Sequence, residues 1–163
     1  MSSEMVELTP CPAEVLAIVL RHPKERRSKC SVEPLVGDPR FRFVRFDPEV
    51  RYQVEGSIVL SVGAPPLTPG DRGHPFLILD STWRYLPRLR QCLRGTVVER
   101  ALPASLRTAY PRVSKIAEDP MAGLASVEAL YAALRVVGTR DDSLLDRYHW
   151  RLEFLEACES AGL

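Results

Sequence analysis

The chain has 163 residues, about one domain on the usual prior, and 45% of them are hydrophobic, enough to fill a core without disulfide or metal staples. Lys and Arg number 22 against 21 Asp and Glu, so the formal charge of +1 excludes a histone-like chain or a polyanionic tail, and any nucleic-acid contact must be local. No apolar run approaches the roughly 18 residues of a membrane span and no secretory signal is recognisable, so the expected location is cytoplasmic.

Residues 15–20 (VLAIVL) are continuously apolar, as expected for a strand buried on both faces, although a helix starting at Pro12 fits the same residues. The following His-Pro ends either element. Residues 41–46 (FRFVRF) suit an edge strand with one wet face, and residues 57–62 (SIVLSV) and 76–79 (FLIL) are further buried strands. Pro87 opens a helix in which Leu86, Leu89 and Leu93 share a face, and Gly95 stops it. Residues 96–100 return as a strand. Residues 101–124, with Pro103, Pro111, Pro120 and Gly123, make a connection long enough to be read as a site loop. Ser126 caps a helix with Glu128 in its first turn; Val127, Leu130, Tyr131 and Leu134 form its apolar stripe, and Gly138 ends it. Asp142 caps a last helix over 142–158, with Leu145, Tyr148, Leu152 and Leu155 facing inward. The alternation predicts a single α/β domain over residues 1–163.

Cysteines at 11, 30, 92 and 158 form no C-x-x-C pair and have no His at zinc-finger spacing, so they read as free thiols, core-filling or, for Cys30, loop-borne. No metal is expected. Charge is uneven: residues 21–29 (RHPKERRSK) carry five basic side chains against Glu25, and residues 84–94 carry Arg84, Arg88, Arg90 and Arg94 with no acid. Residues 141–163 carry six acids against Arg147 and Arg151. An Arg cluster beside a loop grips phosphate, or is simply a solvated face. Asp80 follows FLIL, which places it at the carboxyl end of a buried strand, where open α/β sheets bind ligands; a turn former or helix cap is the other reading. Trp83 is either a flat wall for a ligand or a core residue. His22, before Pro23, is either an acid or base or the holder of a turn.

The segment L-I-L-D-S-T-W (residues 77–83) resembles the D-x-T/S-W signature of the aminocarboxypropyltransferase superfamily, which unites DTW-domain tRNA-uridine enzymes with small-subunit rRNA pseudouridine enzymes. R-H-P-K-E (21–25) resembles the H-P-x-E of the DTW branch. S-K-C-S-V-E-P-L (28–35) resembles the K-x-C-S/T-G-basic-basic-L of the rRNA branch, with Val32 at the glycine and Glu33 and Pro34 at the basic positions. V-L-S-V-G (59–63) with T-P-G-D-R (68–72), and G-L-A-S-V-E-A-L (123–130), resemble further segments in the same order. The match runs from His22 to about Val137.

The resemblance implies a SPOUT-like sheet flanked by helices, with a trefoil-knotted pocket for S-adenosyl-L-methionine (SAM). It implies transfer of the 3-amino-3-carboxypropyl (acp) group of SAM to a uridine or pseudouridine nitrogen in structured RNA, rRNA or tRNA, with no metal, membrane or DNA. Asp80 would orient or deprotonate the base N–H. Trp83 would wall the acp end, and Ser31, Leu60, Ser61, Leu79, Leu124, Ser126 and Ala129 would line the cofactor. Arg26, Arg27, Lys29, Arg84, Arg88, Arg112 and Lys115 are the cations expected to meet RNA, on charge and location. Two alternatives are a SAM-dependent RNA methyltransferase on the same scaffold and a non-catalytic RNA-binding or ribosome-assembly protein.

Overall fold

The computed structural model describes residues 3–24, 30–109 and 124–163. The chain falls into two compact units, one of residues 1–59 and 73–98, the other of residues 60–72 and 99–163.

The first unit is built on parallel strands. β2 (Ala17–Arg21) lies between β3 (Phe41–Arg45) and β6 (Phe76–Asp80), and the five-stranded order is β3-β2-β6-β5-β8, with β5 at Ile58–Leu60 and β8 at Val98–Arg100. The first four residues of β2 are wholly buried, as a strand covered on both faces requires. This settles residues 15–20 as strand rather than helix, shifted by one or two residues. The chain passes from one unit to the other three times, within β5, between Arg72 and Gly73, and within β8.

A second sheet, of three parallel strands in the order β1-β4-β7, was not anticipated: β1 is Glu4–Glu7, β4 is Val50–Gln53 and β7 is Leu93–Arg94. β1 (EMVE) is short and charged, and β4 (VRYQ) buries only Val50 and Tyr52, so neither announces itself by hydropathy. Tyr52 accepts the Asp47 N–H at 2.8 Å and packs with Leu8, Ile18, Leu20, Phe46, Leu77 and Leu89 in the core of this unit. Burying each such side chain contributes about 1.5–3 kcal/mol.

The helix expected from Pro87 is α1, Leu86–Gln91, and it buries Leu89; Leu93 belongs instead to β7. Gly95 has φ +96°, a conformation that residues with side chains rarely adopt, so the turn from β7 toward β8 needs glycine; a Cβ there would also displace the ends of the Gln53 and Glu55 side chains.

The second unit contains α2 (Ser126–Val136) and α3 (Arg151–Ser160). α2 is buried from Val127 to Leu134, more than the single apolar stripe expected. Ser126 is its first helical residue; the N-cap is Ala125, whose N–H is taken by Glu128 Oε1 at 2.8 Å. Gly138 ends the helix at φ +89°, with Thr139 N–H bonded to Leu134 C=O and Gly138 N–H to Arg135 C=O, the paired reverse bonds of a Schellman end.

The helix expected over 142–158 is corrected. Asp141, not Asp142, caps a short 3-10 turn at Asp142–Leu145 by accepting from Ser143 N–H, and α3 starts only at Arg151. α3 buries Phe154 and Cys158, whereas Leu152 is 68% exposed. Phe154 meets Tyr131 edge to face, with centroids 6.2 Å apart. The four cysteines are free thiols, and Cys30, expected on a loop, is buried. Among the described residues, no helix is long and apolar enough to cross a membrane.

Candidate functional site

Parallel pairing of β2 with β6 sets Arg21 beside Asp80 at the carboxyl ends of adjacent central strands. Asp80 is thus the last residue of β6 rather than the residue after it. Side chains at paired positions stand on the same face. The Arg21 Nε therefore donates to Asp80 Oδ2 at 2.9 Å, with side chains only 11% and 6% exposed. Arg21 also donates through Nη1 to Glu33 Oε2 at 2.5 Å and through Nη2 to Cys30 Sγ at 3.3 Å, and its guanidinium lies 5.0 Å from the centroid of Phe43.

Cys30 completes the cluster by donating its S–H to Asp80 Oδ2 at 3.0 Å. Burial, the Asp80 charge and that bond push the Cys30 thiol up to about 12. Burial lowers the Arg21 pKa, and the bonds to Asp80 and Glu33 more than reverse it, so Arg21 is charged under all ordinary conditions.

The segment that supplies Cys30 and Glu33 also carries Val32 and Pro34. Val32 sits at φ −92°, a conformation open to any residue, and its side chain is fully buried. Pro34 stands in the first turn of the 3-10 helix Glu33–Leu35, and Leu35 is buried beside it. Glu33 is the acid that binds Arg21. Glu33 thus ties this segment to β2 through Arg21, while Val32 and Leu35 are buried.

Around the rim, His22 stacks on Tyr85 with centroids 4.1 Å apart and accepts the Lys24 N–H through Nδ1 at 3.1 Å, so it holds the turn after β2. Burial and the Lys24 charge lower its pKa. The Lys24 ammonium lies 5.4 Å from the Tyr85 centroid. Trp83 is 66% exposed, which rules out a core role in this structure. Arg84 and Arg88 are exposed, and Arg88 reaches the Pro48 C=O at 3.3 Å.

The other expected site residues distribute as follows. Ser31 and Leu79 are half-buried in the first unit. Leu60, Ser61, Leu124, Ser126 and Ala129 belong to the second. Ser61 is half-buried and bonds Glu99 at 3.3 Å; Ser126 is half-buried, while Leu60, Leu124 and Ala129 are buried, Ala129 with no exposed surface. Arg26, Arg27, Lys29, Arg112 and Lys115, and most of the site loop expected over 101–124, lie outside the described residues.

Sequence reasoning counted Arg21 only as one charge in a basic run and Glu33 only as a departure. Glu128 is in the first turn of α2 as expected, and beyond that it is fully buried and accepts from Thr108 Oγ1 at 2.6 Å and Ala109 N–H at 2.8 Å as well as from Ala125. An acid inside a motif, in the first turn of a helix whose other residues are largely apolar, is the available signal.

No protein-family model matches the chain, and no curated protein matches it. Among solved structures, the chain is similar to the SAM-dependent rRNA:acp-transferase Tsr3 from Vulcanisaeta distributa, with a TM-score of 0.64 and 24% identity over 90% of this chain and 80% of that one. A likeness at that identity shows a shared fold.

Proposed function

We propose that this chain transfers the acp group of SAM to a uridine or pseudouridine nitrogen in RNA. The observation that carries the reading is Asp80: the acid of D-S-T-W is a buried carboxylate at the carboxyl end of a central parallel strand, in a chain folded like an rRNA acp-transferase. The specific RNA and the trefoil knot of the SPOUT-like fold belong to the same proposal.

The chemistry asks mainly for aim. SAM offers three carbons on its sulfonium, and only attack on the acp methylene gives this product; the C–S bond breaks with its electron pair going to sulfur, leaving neutral methylthioadenosine. The base nitrogen loses its proton as the new C–N bond forms. A carboxylate within hydrogen-bond distance of that N–H orients the base and receives or relays the proton. Asp80 fits this donor, since among the described residues both of its side-chain bonds fall on Oδ2, leaving Oδ1 to accept.

Within the first unit, Ser31, Leu79 and Trp83 are the positions proposed for the cofactor, with exposed Trp83 offering a flat wall. Leu60, Ser61, Leu124, Ser126 and Ala129 are carried over from the resemblance. Arg84 and Arg88 are proposed to meet RNA phosphates.

The test is to incubate the purified chain with total RNA from cells lacking it, using SAM labelled separately in the carboxyl and methyl groups, and to digest the RNA to nucleosides for mass spectrometry. Carboxyl label in a modified uridine or pseudouridine is the expected result. Methyl label alone would replace the reading with a methyltransferase. RNA binding without either label, together with no calorimetric SAM signal, would leave a non-catalytic RNA-binding protein.

A further inference from the structure

The carboxylate of Asp80 is not free to turn. Arg21 grips Oδ2 through Nε and is itself held from the far side by Glu33, while Cys30 donates to the same oxygen from a third direction. A guanidinium has fixed fork geometry, so anchoring one arm on Glu33 fixes where the other points. Cys30 and Glu33 are joined by their own turn, the Glu33 N–H bonding the Cys30 C=O at 3.2 Å, and Val32 and Leu35 anchor that turn in the interior. The four side chains thus form one closed cluster that has two carboxylates and one guanidinium.

We propose that Arg21, Glu33 and Cys30 are positioning residues that pin Oδ2 of Asp80, so that Oδ1 meets the substrate N–H in a single orientation. This rests on the reading of Asp80 given above. The cluster gives Glu33 a purpose that its charge alone conceals. A basic side chain at position 33 would repel Arg21; the acid fixes it. It also makes the S–H of Cys30 a structural donor rather than a nucleophile, because a buried thiol bonded to a carboxylate stays protonated.

The experiment uses the full chain and four variants. Cys30→Ser keeps a donor and Cys30→Ala removes it, Glu33→Gln keeps the size but loses the charge, and Arg21→Lys keeps the charge but loses the fork. Transfer of carboxyl label from SAM to RNA is measured with the KM for SAM and the melting temperature, and the S–H stretching band of Cys30 is recorded by infrared spectroscopy, assigned by its loss in Cys30→Ser.

Cys30→Ala, Glu33→Gln and Arg21→Lys should lower kcat by up to about 10²-fold, the cost of a catalytic group displaced by about an ångström, with KM for SAM changed by less than about threefold. Cys30→Ser should recover most of the loss seen in Cys30→Ala. A merely structural role would track the melting temperature and show no such recovery. In the infrared, Asp80→Asn should move the Cys30 band toward that of a weakly bonded thiol. Wild-type kcat in folded Cys30→Ala and Glu33→Gln would overturn the positioning role. An unmoved S–H band in Asp80→Asn would overturn the cluster itself. If the wild-type chain transfers no acp, the function reading fails; the infrared result still decides whether the cluster exists.

Discussion

At the scale of single residues, the cysteine at position 30 shows how a fold changes the chemistry a sequence suggests. Neighbouring cations lower a thiol's pKa by stabilising the thiolate, and residues 21–29 before Cys30 carry five basic side chains. Here burial is the larger cause and the Asp80 carboxylate adds to it, so the thiol is pushed up to about 12 and is protonated throughout the neutral range. Iodoacetamide at about pH 8 should therefore leave Cys30 unmodified in the native chain and label it after denaturation, as read by peptide mass mapping. Native labelling at the rate of an ordinary free thiol would mean that neither burial nor the carboxylate holds Cys30 protonated. The position of Asp80 at a strand end was legible because the apolar run FLIL leads directly into it. Arg21 and Glu33 were not, because their pairing is created by strand register and by a turn twelve residues on, and neither leaves a trace in spacing along the chain.

At the scale of elements, what was legible depended on how completely each segment is buried. β2 and β6 are central and covered on both faces, so their apolar runs are unbroken, and α2 carries both its stripe and its terminal glycine. β1, β4 and β7 hold only 4, 4 and 2 residues, and their alternation is too brief for a period to emerge. The boundary near residue 142 was misplaced for an electrostatic reason. Asp142 does not cap a helix, because its carboxylate is taken by Arg140 Nε at 2.9 Å and the Tyr131 hydroxyl at 2.6 Å. Those two bonds, Arg140 first, lower its pKa from 3.8 to about 2. A carboxylate depressed in the folded state stabilises it fully above the unfolded pKa, and that contribution disappears as pH falls from about 4 to about 2. Because the pair is partly exposed, the effect is screened and modest. Asp142→Asn should lower the melting temperature slightly near neutrality and narrow the gap between variant and wild type on acidification toward about pH 2. A gap that stays constant across the window would show that the Asp142 pair contributes nothing.

At the scale of the whole molecule, near-neutrality conceals an uneven distribution of charge along the chain. Between Asp80 and Glu99 there is no acid, and Arg84, Arg88, Arg90 and Arg94 fall in that interval; residues 141–163 carry six acids and two arginines. A polyanion approaching a chain of net charge +1 gains little from the global field and must bind where cations gather. Arg84 is exposed just before α1, and exposed Arg88 lies one helical turn beyond it, while Leu89 is the residue α1 turns inward. Substitution of these arginines therefore removes charge without opening the core. Arg84→Glu and Arg88→Glu should each weaken RNA binding and flatten the slope of log affinity against log salt by about 0.7–0.9 for each phosphate left without its arginine. The control is Arg147→Glu, an exposed position within the acidic stretch, which should leave both affinity and slope close to wild type. Filter binding over a salt series separates the two outcomes. A loss of affinity with unchanged slope would mean that the arginines act through folding rather than by neutralising phosphates, and melting temperatures would identify that case. Equal losses from Arg84→Glu and Arg147→Glu would place the RNA elsewhere and return the arginines around α1 to the role of a solvated face.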